Sequence, residues 1–589
     1  MRAILTILYI FPLSASSTQL APIVVKAKKE KPIQTWQFIE SQTIERATTP
    51  GFEEQQLKNI PGVTTTTAGN TGQLTTISIQ GAASKYTKIM WNGLSLSEAE
   101  ADAALIPLST GKVEVIKGIH CAQYGNGAIG GIVNVVPFTM PLKQNGGIKI
   151  NAGNYSQGTH LWWQQNVNGF SIQQHIESDR FIGKNSIPTR YQTKYPTNLR
   201  QQTSKQYFLN KFGFENHHVK SALQIGLVKL SSTASDIFYT PPHDSRAKKT
   251  LQIYNLEMAS RSEIVQPYLK ILNSKIHMQD FSPYQNNNRT GSFDNTKAKL
   301  GVSIKKDTLT FEPVIEHHDA VYRYKPISKK SSEYAFAQGI HLNKNNIIFK
   351  NWARLHKYNN FKTATAFSSS LLLSYQDTEY SFHFGTGFRL PDLSMLNSNS
   401  ALKKETAMGG NFGVSQKTKL GTFKVLLFKT EYKQQMIFKG ETPFNINSSQ
   451  QQGVELGWKN QVGAWGAEFS YLYTESVELK PRKRLLNIPR TSGNAKIFYK
   501  KDDLSTSLGL RYTGEQIQSD FESGKPNFEN AQPIKRGGFS VVYGDIQYQL
   551  NARTTWMLSI ENALARSIEN PVGYRNPGFQ ISSGISVTW

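Results

Sequence analysis

From about Gly147 to the C-terminus, apolar and polar residues alternate along many consecutive short spans. The last span shows the pattern plainly. Phe579, Ile581, Ser583, Ile585, Val587 and Trp589 fall on one face of an extended strand, and Gln580, Ser582, Gly584, Ser586 and Thr588 on the other. One face is greasy and ends in an aromatic, as expected of a strand with lipid outside and a polar lumen inside. About 22 such strands can be marked, since β-branched and aromatic runs are bounded by turn residues. Their connections alternate in length. Residues 343–346, 375–380, 500–503 and 551–555 are tight turns, whereas 179–204, 391–406, 477–491 and 514–537 are long. Short turns on one rim and long loops on the other predict a transmembrane antiparallel β-barrel spanning 146–589. A barrel of about 22 strands has a lumen too wide for its own side chains to fill.

The preceding residues are patterned differently. Residues 46–137 are compact and punctuated by glycine, with short strand patterns and a short helix expected around Glu98 to Leu105, which predicts a small α+β plug domain. Residues 1–16 carry Arg2, an apolar core from Ile4 to Phe11, a breaker at Pro12 and then small residues, the layout of a cleaved secretory signal. Between them, 17–45 is polar and lysine-rich around one apolar pentapeptide, Ile23, Val24, Val25, Lys26 and Ala27. That segment has too little apolar surface to fold alone and could pair as a strand on a partner's sheet edge.

Composition narrows the function classes. Hydrophobic residues make up 38% of the chain, with 25 Tyr and 31 Phe, which favours amphipathic strands over spanning helices. The net charge of +25 comes from cations scattered along strand patterns rather than gathered in a basic motif, so anionic lipid and lipopolysaccharide are the expected surroundings, not nucleic acid. A single cysteine, Cys121, excludes internal disulfides and a multi-thiolate metal site.

Gly125, Gly127 and Gly130 spell G-x-G-x-x-G, but a strand pattern (132–136) follows them where a dinucleotide site needs a helix. No Asp or Glu occurs between Glu114 and Glu177 to hold a ribose. No nucleophile motif, zinc-protease motif or P-loop is found, so no enzyme activity, metal or cofactor is expected. The pairs His217-His218 and His317-His318 lie on strand patterns whose neighbours face opposite ways, and Trp162-Trp163 suits an interfacial girdle. The acidic residues Glu98, Glu100 and Asp102 read as a solvated plug surface.

The motifs "LKNIPGV" from Leu57, "GQLTTISIQG" from Gly72, "IMWNG" from Ile89, "VEVIKG" from Val113 and "YGNGAIGGIVNVV" from Tyr124 stand in the order and spacing of TonB-dependent outer-membrane receptors. In the barrel, "GTGFRLPDLSML", "LKKET", "QGVELGW" and the terminal aromatic resemble strands of the same family, so the resemblance covers nearly the whole chain. Within that family the text is most similar to that of cobalamin transporters. The resemblance implies import of a large, scarce small-molecule nutrient by a monomer in the outer membrane. A TonB-type periplasmic protein would grip Ile23, Val24, Val25, Lys26 and Ala27 as the Ton box and deliver work from the inner-membrane proton gradient. Ferric siderophore or haem import is the alternative, and a passive porin a remoter one.

It further implies plug cations meeting barrel-wall carboxylates, here Lys117 with Glu405 and Glu455. Glu455 suits the lumen by parity, since Val454 and Leu456 would share the lipid face. Ligand is expected on outward plug loops at 65–73 and 91–97, through Trp91, Leu94 and Leu96 for contact and Asn70, Asn92 and Ser95 for hydrogen bonds. The chain departs from the family pattern at Asn92, Gln80 and Lys117, where Asp, Arg and Arg are usual. Residues 179–204 hold one Asp and no Glu, so the calcium-binding cluster of cobalamin receptors has no counterpart there.

Overall fold

The computed structural model describes residues 39–43, 53–96, 102–137, 144–183, 186, 188, 201–236, 243–281, 289–324, 327–359, 361–439, 442–520 and 532–589. The expected signal (1–16) and the pentapeptide of Ile23, Val24, Val25, Lys26 and Ala27 lie outside them. No described helix is long and apolar enough to cross a membrane.

Twenty-two strands from Asn145–Gly153 to Gln580–Thr588 close into one antiparallel barrel, with a three-residue ribbon at Arg482–Arg484 appended to one wall strand. Closure joins the last strand to the first: Thr588 pairs with Gly147, and Trp589 and Gly146 exchange backbone hydrogen bonds of 2.9 and 3.1 Å. The barrel wall is left with no open strand edge for another chain to pair with. Parity sorts the side chains as the sequence requires. Along Ile347–Tyr358, Trp352, Arg354, His356 and Tyr358 are buried inward while Leu355 is 50% exposed on the outside. The tight turns follow from residues that tolerate left-handed backbone, such as Asn168 (φ 50°) before Gly169 (φ 84°), and Asn345 (φ 52°). These turns mark the periplasmic rim, and the long connections the outer rim.

The plug sits inside. Five strands form its sheet in the order β1 (Ile39–Thr43), β6 (Gly111–Lys117), β7 (Gly131–Pro137), β4 (Thr87–Trp91), β5 (Leu94–Ser95). A separate antiparallel ribbon joins β2 (Val63–Thr67) to β3 (Thr75–Ile79). The plug therefore begins before residue 46. Ile39–Thr43, expected to be flexible, pairs with β6 from Ile39↔Ile116 to Thr43↔Lys112. Backbone pairing at a sheet edge needs little from the side chains, so "IESQT" carries no strong strand pattern. The helix expected around 98–105 is described only as a 3-10 turn, Ala103–Leu105, which the Asp102 carboxylate caps by accepting from the Ala104 amide at 3.1 Å.

The glycine motif makes a strand–helical turn–strand. The one-turn helix Cys121–Tyr124 ends at Gly125 (φ 83°), and Gly127 (φ 84°) turns the chain back into β7. A Cβ on Gly130 would lie 2.7 Å from that of Tyr86, so only glycine permits this approach.

Candidate functional site

Among the described residues the plug meets the barrel wall through charged pairs, apolar seams and an open cleft. At the first seat, Lys117 ends β6 and its Nζ lies 2.6 Å from Glu455 Oε1, with the lysine side chain wholly buried and Glu455 8% exposed. Glu455 faces inward while Leu456 is 38% exposed outside. The second seat is Glu405, wholly buried. It takes Lys85 Nζ at 2.8 Å, Tyr86 Oη at 3.0 Å, Arg389 Nη1 at 3.2 Å and the Met436 amide at 2.5 Å. Tyr86 also stacks on Tyr432 with centroids 4.7 Å apart. The structure thus brings Lys117 to Glu455, while Glu405 is engaged by Lys85, a plug cation that sequence reasoning passed over. Its position just before a buried tyrosine was the available signal.

Gln80 shows how a neutral residue holds the same wall. Its left-handed backbone (φ 53°) turns its carbonyl outward to accept from Gln451 at 2.8 Å and Thr474 at 3.1 Å. Asp102, expected to be solvated, is instead half-buried, and its carboxylate takes Lys249 of the wall at 2.8 Å. Lys205 donates to the Ile106 carbonyl at 3.0 Å.

The residues expected at the plug apex separate. Asn70 does lie toward the outer rim, where its amide donates to Gln201 Oε1 at 2.6 Å. Trp91, Asn92, Leu94, Ser95 and Leu96 do not form an outward loop. Trp91 is 0% exposed and donates to Gln224, six residues from the periplasmic turn at 216–218. Asn92 bonds Glu257 and accepts from Lys270 at 3.1 Å, both also near periplasmic turns. Ser95 and Leu96 give their carbonyls to Asn295 (2.9 Å) and Ser274 (2.7 Å). The physical reason is burial. β4 is buried on both faces, and the chain leaving it is packed between sheet and wall as far as Leu96.

The two apolar seams extend this packing. Leu94, Leu96 and Leu105 join Tyr207, Val228, Leu251 and Leu272 of the wall. Tyr86, Ile119, Cys121 and Ile129 join Trp352 and Phe388. Beside the second seam His120 stacks on His383 at 4.1 Å and bonds the Lys117 carbonyl at 3.1 Å. Burial, then the neighbouring His383 ring, holds the His120 imidazole well below its ordinary range, so it is neutral. Burial likewise pushes the Cys121 thiol up to about 11, leaving it an inert packing group.

Of the two histidine pairs only His317-His318 lies on a strand and obeys its parity; His217-His218, expected on a strand, sit in the turn at 216–218. His318 points inward to Glu333 at 2.8 Å, and His317 outward to stack on Tyr334. On the inner wall His160 lies between Glu177 (3.3 Å) and Asp179 (3.2 Å). Lys149 and Lys205 occupy the same register rows, so the wall itself supplies positive charge to these carboxylates.

A closed 22-stranded barrel holding a folded domain in its lumen defines a plugged outer-membrane receptor. Residues 28–132 match the family model described as TonB-dependent receptor plug domain, and 139–563 the one described as TonB dependent receptor-like, beta-barrel. The chain belongs to the TonB-dependent receptor family, proteins of the Gram-negative outer membrane, and membership implies coupling to TonB and a small-molecule ligand. Similar solved structures include a variant of the ferric enterobactin receptor of Pseudomonas aeruginosa (13% identity, TM-score 0.80, 94% of this chain and 98% of that one). The siderophore receptor PirA from Acinetobacter baumannii is similar at 12% identity and TM-score 0.78, and the copper transporter OprC at 13% and 0.78. Each covers 94% of this chain and 98% of its own.

Proposed function

We propose that this receptor imports an anionic metal chelate of the siderophore kind, drawn inward by TonB acting on Ile23, Val24, Val25, Lys26 and Ala27. The observation that carries energised import is the seating of the plug: buried charge pairs and apolar seams hold it, so a large solute passes only when work displaces it. An outer membrane pierced by porins holds no ion gradient, and that work must come from the inner membrane, where each charge crossing 100 mV yields about 2.3 kcal/mol.

Ligand chemistry is supported by charge. Among the described residues of the outer rim, Lys480, Arg482, Lys483, Arg484, Arg490, Lys535 and Arg536 outnumber Glu475, Glu478, Glu515, Asp520 and Glu569, leaving positive charge in excess in a chain of net charge +25. Such a field attracts an anionic chelate. Two of the similar structures are receptors for a ferric chelate or siderophore by their own descriptions, and a third carries copper. A corrinoid is the second reading, favoured by the wording of the plug motifs. Titration of the purified receptor with ferric catecholate and hydroxamate siderophores, haem and cobalamin separates the two. Submicromolar binding of cobalamin alone would overturn the chelate reading.

A further inference from the structure

We infer that cargo passes along one side of the plug, through the cleft between the β2–β3 ribbon and the wall strands from Gly421–Lys439 to Gln580–Thr588, while the rest of the plug stays seated. This rests on the import reading above.

The cleft has a volume of about 1030 Å³, at the upper end of the roughly 300–1,000 Å³ of small-molecule sites. It reaches both rims. Gln461 and Lys500 line it two residues from periplasmic turns, and Phe181 and Asn570 line it at the outer end. Its wall is polar by parity: Lys424, Lys496, Asp545 and Glu561 all point into the lumen. On the plug side the ribbon is two-faced. Val63, Ile77 and Ile79 pack inward on the plug core, and Thr64 and Thr66 offer hydroxyls to the cleft. A lane that sets Lys424, Lys496, Asp545 and Glu561 among apolar neighbours such as Leu426 and Val541 suits a charged solute better than the apolar seams across strands 201–389.

The ribbon is also the plug element that can shift most simply. It is not hydrogen-bonded to the five-stranded sheet, so moving it breaks none of that sheet's ladder. Its root is held by the first charged seat. A Cβ on Gly62 (φ 75°) would lie 2.4 Å from Glu455 Oε2 and 3.3 Å from Lys117 Cε, and the Gly62 carbonyl accepts from the Gln80 amide at 2.7 Å. Lys117 ends β6, whose edge partner is β1. Tension on the chain before Ile39 therefore loads β1, then β6, and then the ion pair that pins the ribbon.

Thr66→Cys provides a reachable thiol, since Cys121 is wholly buried. A bulky maleimide at that position is expected to lower urea-induced conductance of the receptor in planar bilayers at least fivefold, and energised uptake of the bound chelate at least tenfold, with binding unchanged. Conductance within twofold of the unlabelled variant at full labelling would overturn the passage. Loss of energised uptake in the native chain would overturn the import reading instead, and the conductance result would still decide the passage. A second variant tests whether the plug must leave as a whole. The Cβ in Gly387→Cys would lie 2.7 Å from Cys121 Sγ and 2.9 Å from Ile119 and Ile129, so a disulfide closed by oxidant during refolding, before burial shields Cys121, staples the plug to the wall away from the cleft. The stapled receptor is expected to keep conductance within twofold of its reduced form; abolition that a reductant reverses would overturn the inference.

Discussion

Lys117 Nζ lies 2.6 Å from Glu455 Oε1 at a point where the plug's central sheet, the root of its ribbon and the barrel wall converge. Removing one partner of a buried pair leaves an unpaired charge and costs about 3–5 kcal/mol, less where lumen water reaches the survivor. Glu455→Gln is expected to cost more than Lys117→Ala, because the ammonium whose carboxylate it removes is wholly buried whereas Glu455 is 8% exposed. Both should speed amide exchange across 113–136, and the double variant should recover part of the loss. Strict additivity of the two single effects would show that the pair is not coupled.

Glu405 serves two cations and a tyrosine at once. Glu405→Gln should release the turn at Ser84–Tyr86 and destabilise the plug by roughly 3–5 kcal/mol if no water replaces the carboxylate, read as a lower melting temperature of the purified receptor. Exchange at 82–90 should rise while that at 103–108, held by a different wall, should not.

Trp91 is a packing residue near the periplasmic side. Trp91→Ala should destabilise the plug by about 3–5 kcal/mol through the cavity it leaves. Trp91→Phe keeps most of the volume and loses only the bond to Gln224, so ligand affinity should be unchanged within twofold. A tenfold loss of affinity in the folded Phe variant would return Trp91 to the ligand site.

Proton uptake at His120 supplies a pH test. Its folded pKa lies below the unfolded value of about 6.5, so as pH falls through that value the unfolded chain binds a proton that the folded plug refuses. Plug stability should be full above about pH 7 and decline toward pH 5, at up to ~1.4 kcal/mol per pH unit. His120→Gln should flatten that slope, as read by plug unfolding monitored between pH 7 and 5.

Val24→Pro or Val25→Pro removes an amide donor from the expected Ton box. Uptake should fall to the level seen after the proton gradient is collapsed, and ligand binding by purified protein should be untouched. Uptake at the native rate would place the coupling segment elsewhere.

Much of the architecture was legible in the chain because strand periodicity is local. A period of two assigns Glu455 to the lumen and Leu456 to lipid without knowledge of any neighbour, and Asn-Gly at 168–169 forces a turn on its own backbone preferences. The same locality set the limit. Parity gives a face but not a partner, and the pairing of Lys117 with Glu455, leaving Glu405 to Lys85, depends on how the plug is rotated within the barrel. The apolar and amide residues from Trp91 to Leu96 have the composition of a ligand loop; only the packed arrangement assigns them to the wall, because burial belongs to surfaces brought together from distant parts of the chain. β1 was illegible for a related reason, since an edge strand is held by its partner's backbone rather than by its own side chains. Sequence alone determined a plugged barrel, through repeats of local stereochemistry. Tertiary structure decided which contacts seal it and which side is left open, because those are set by side chains hundreds of residues apart.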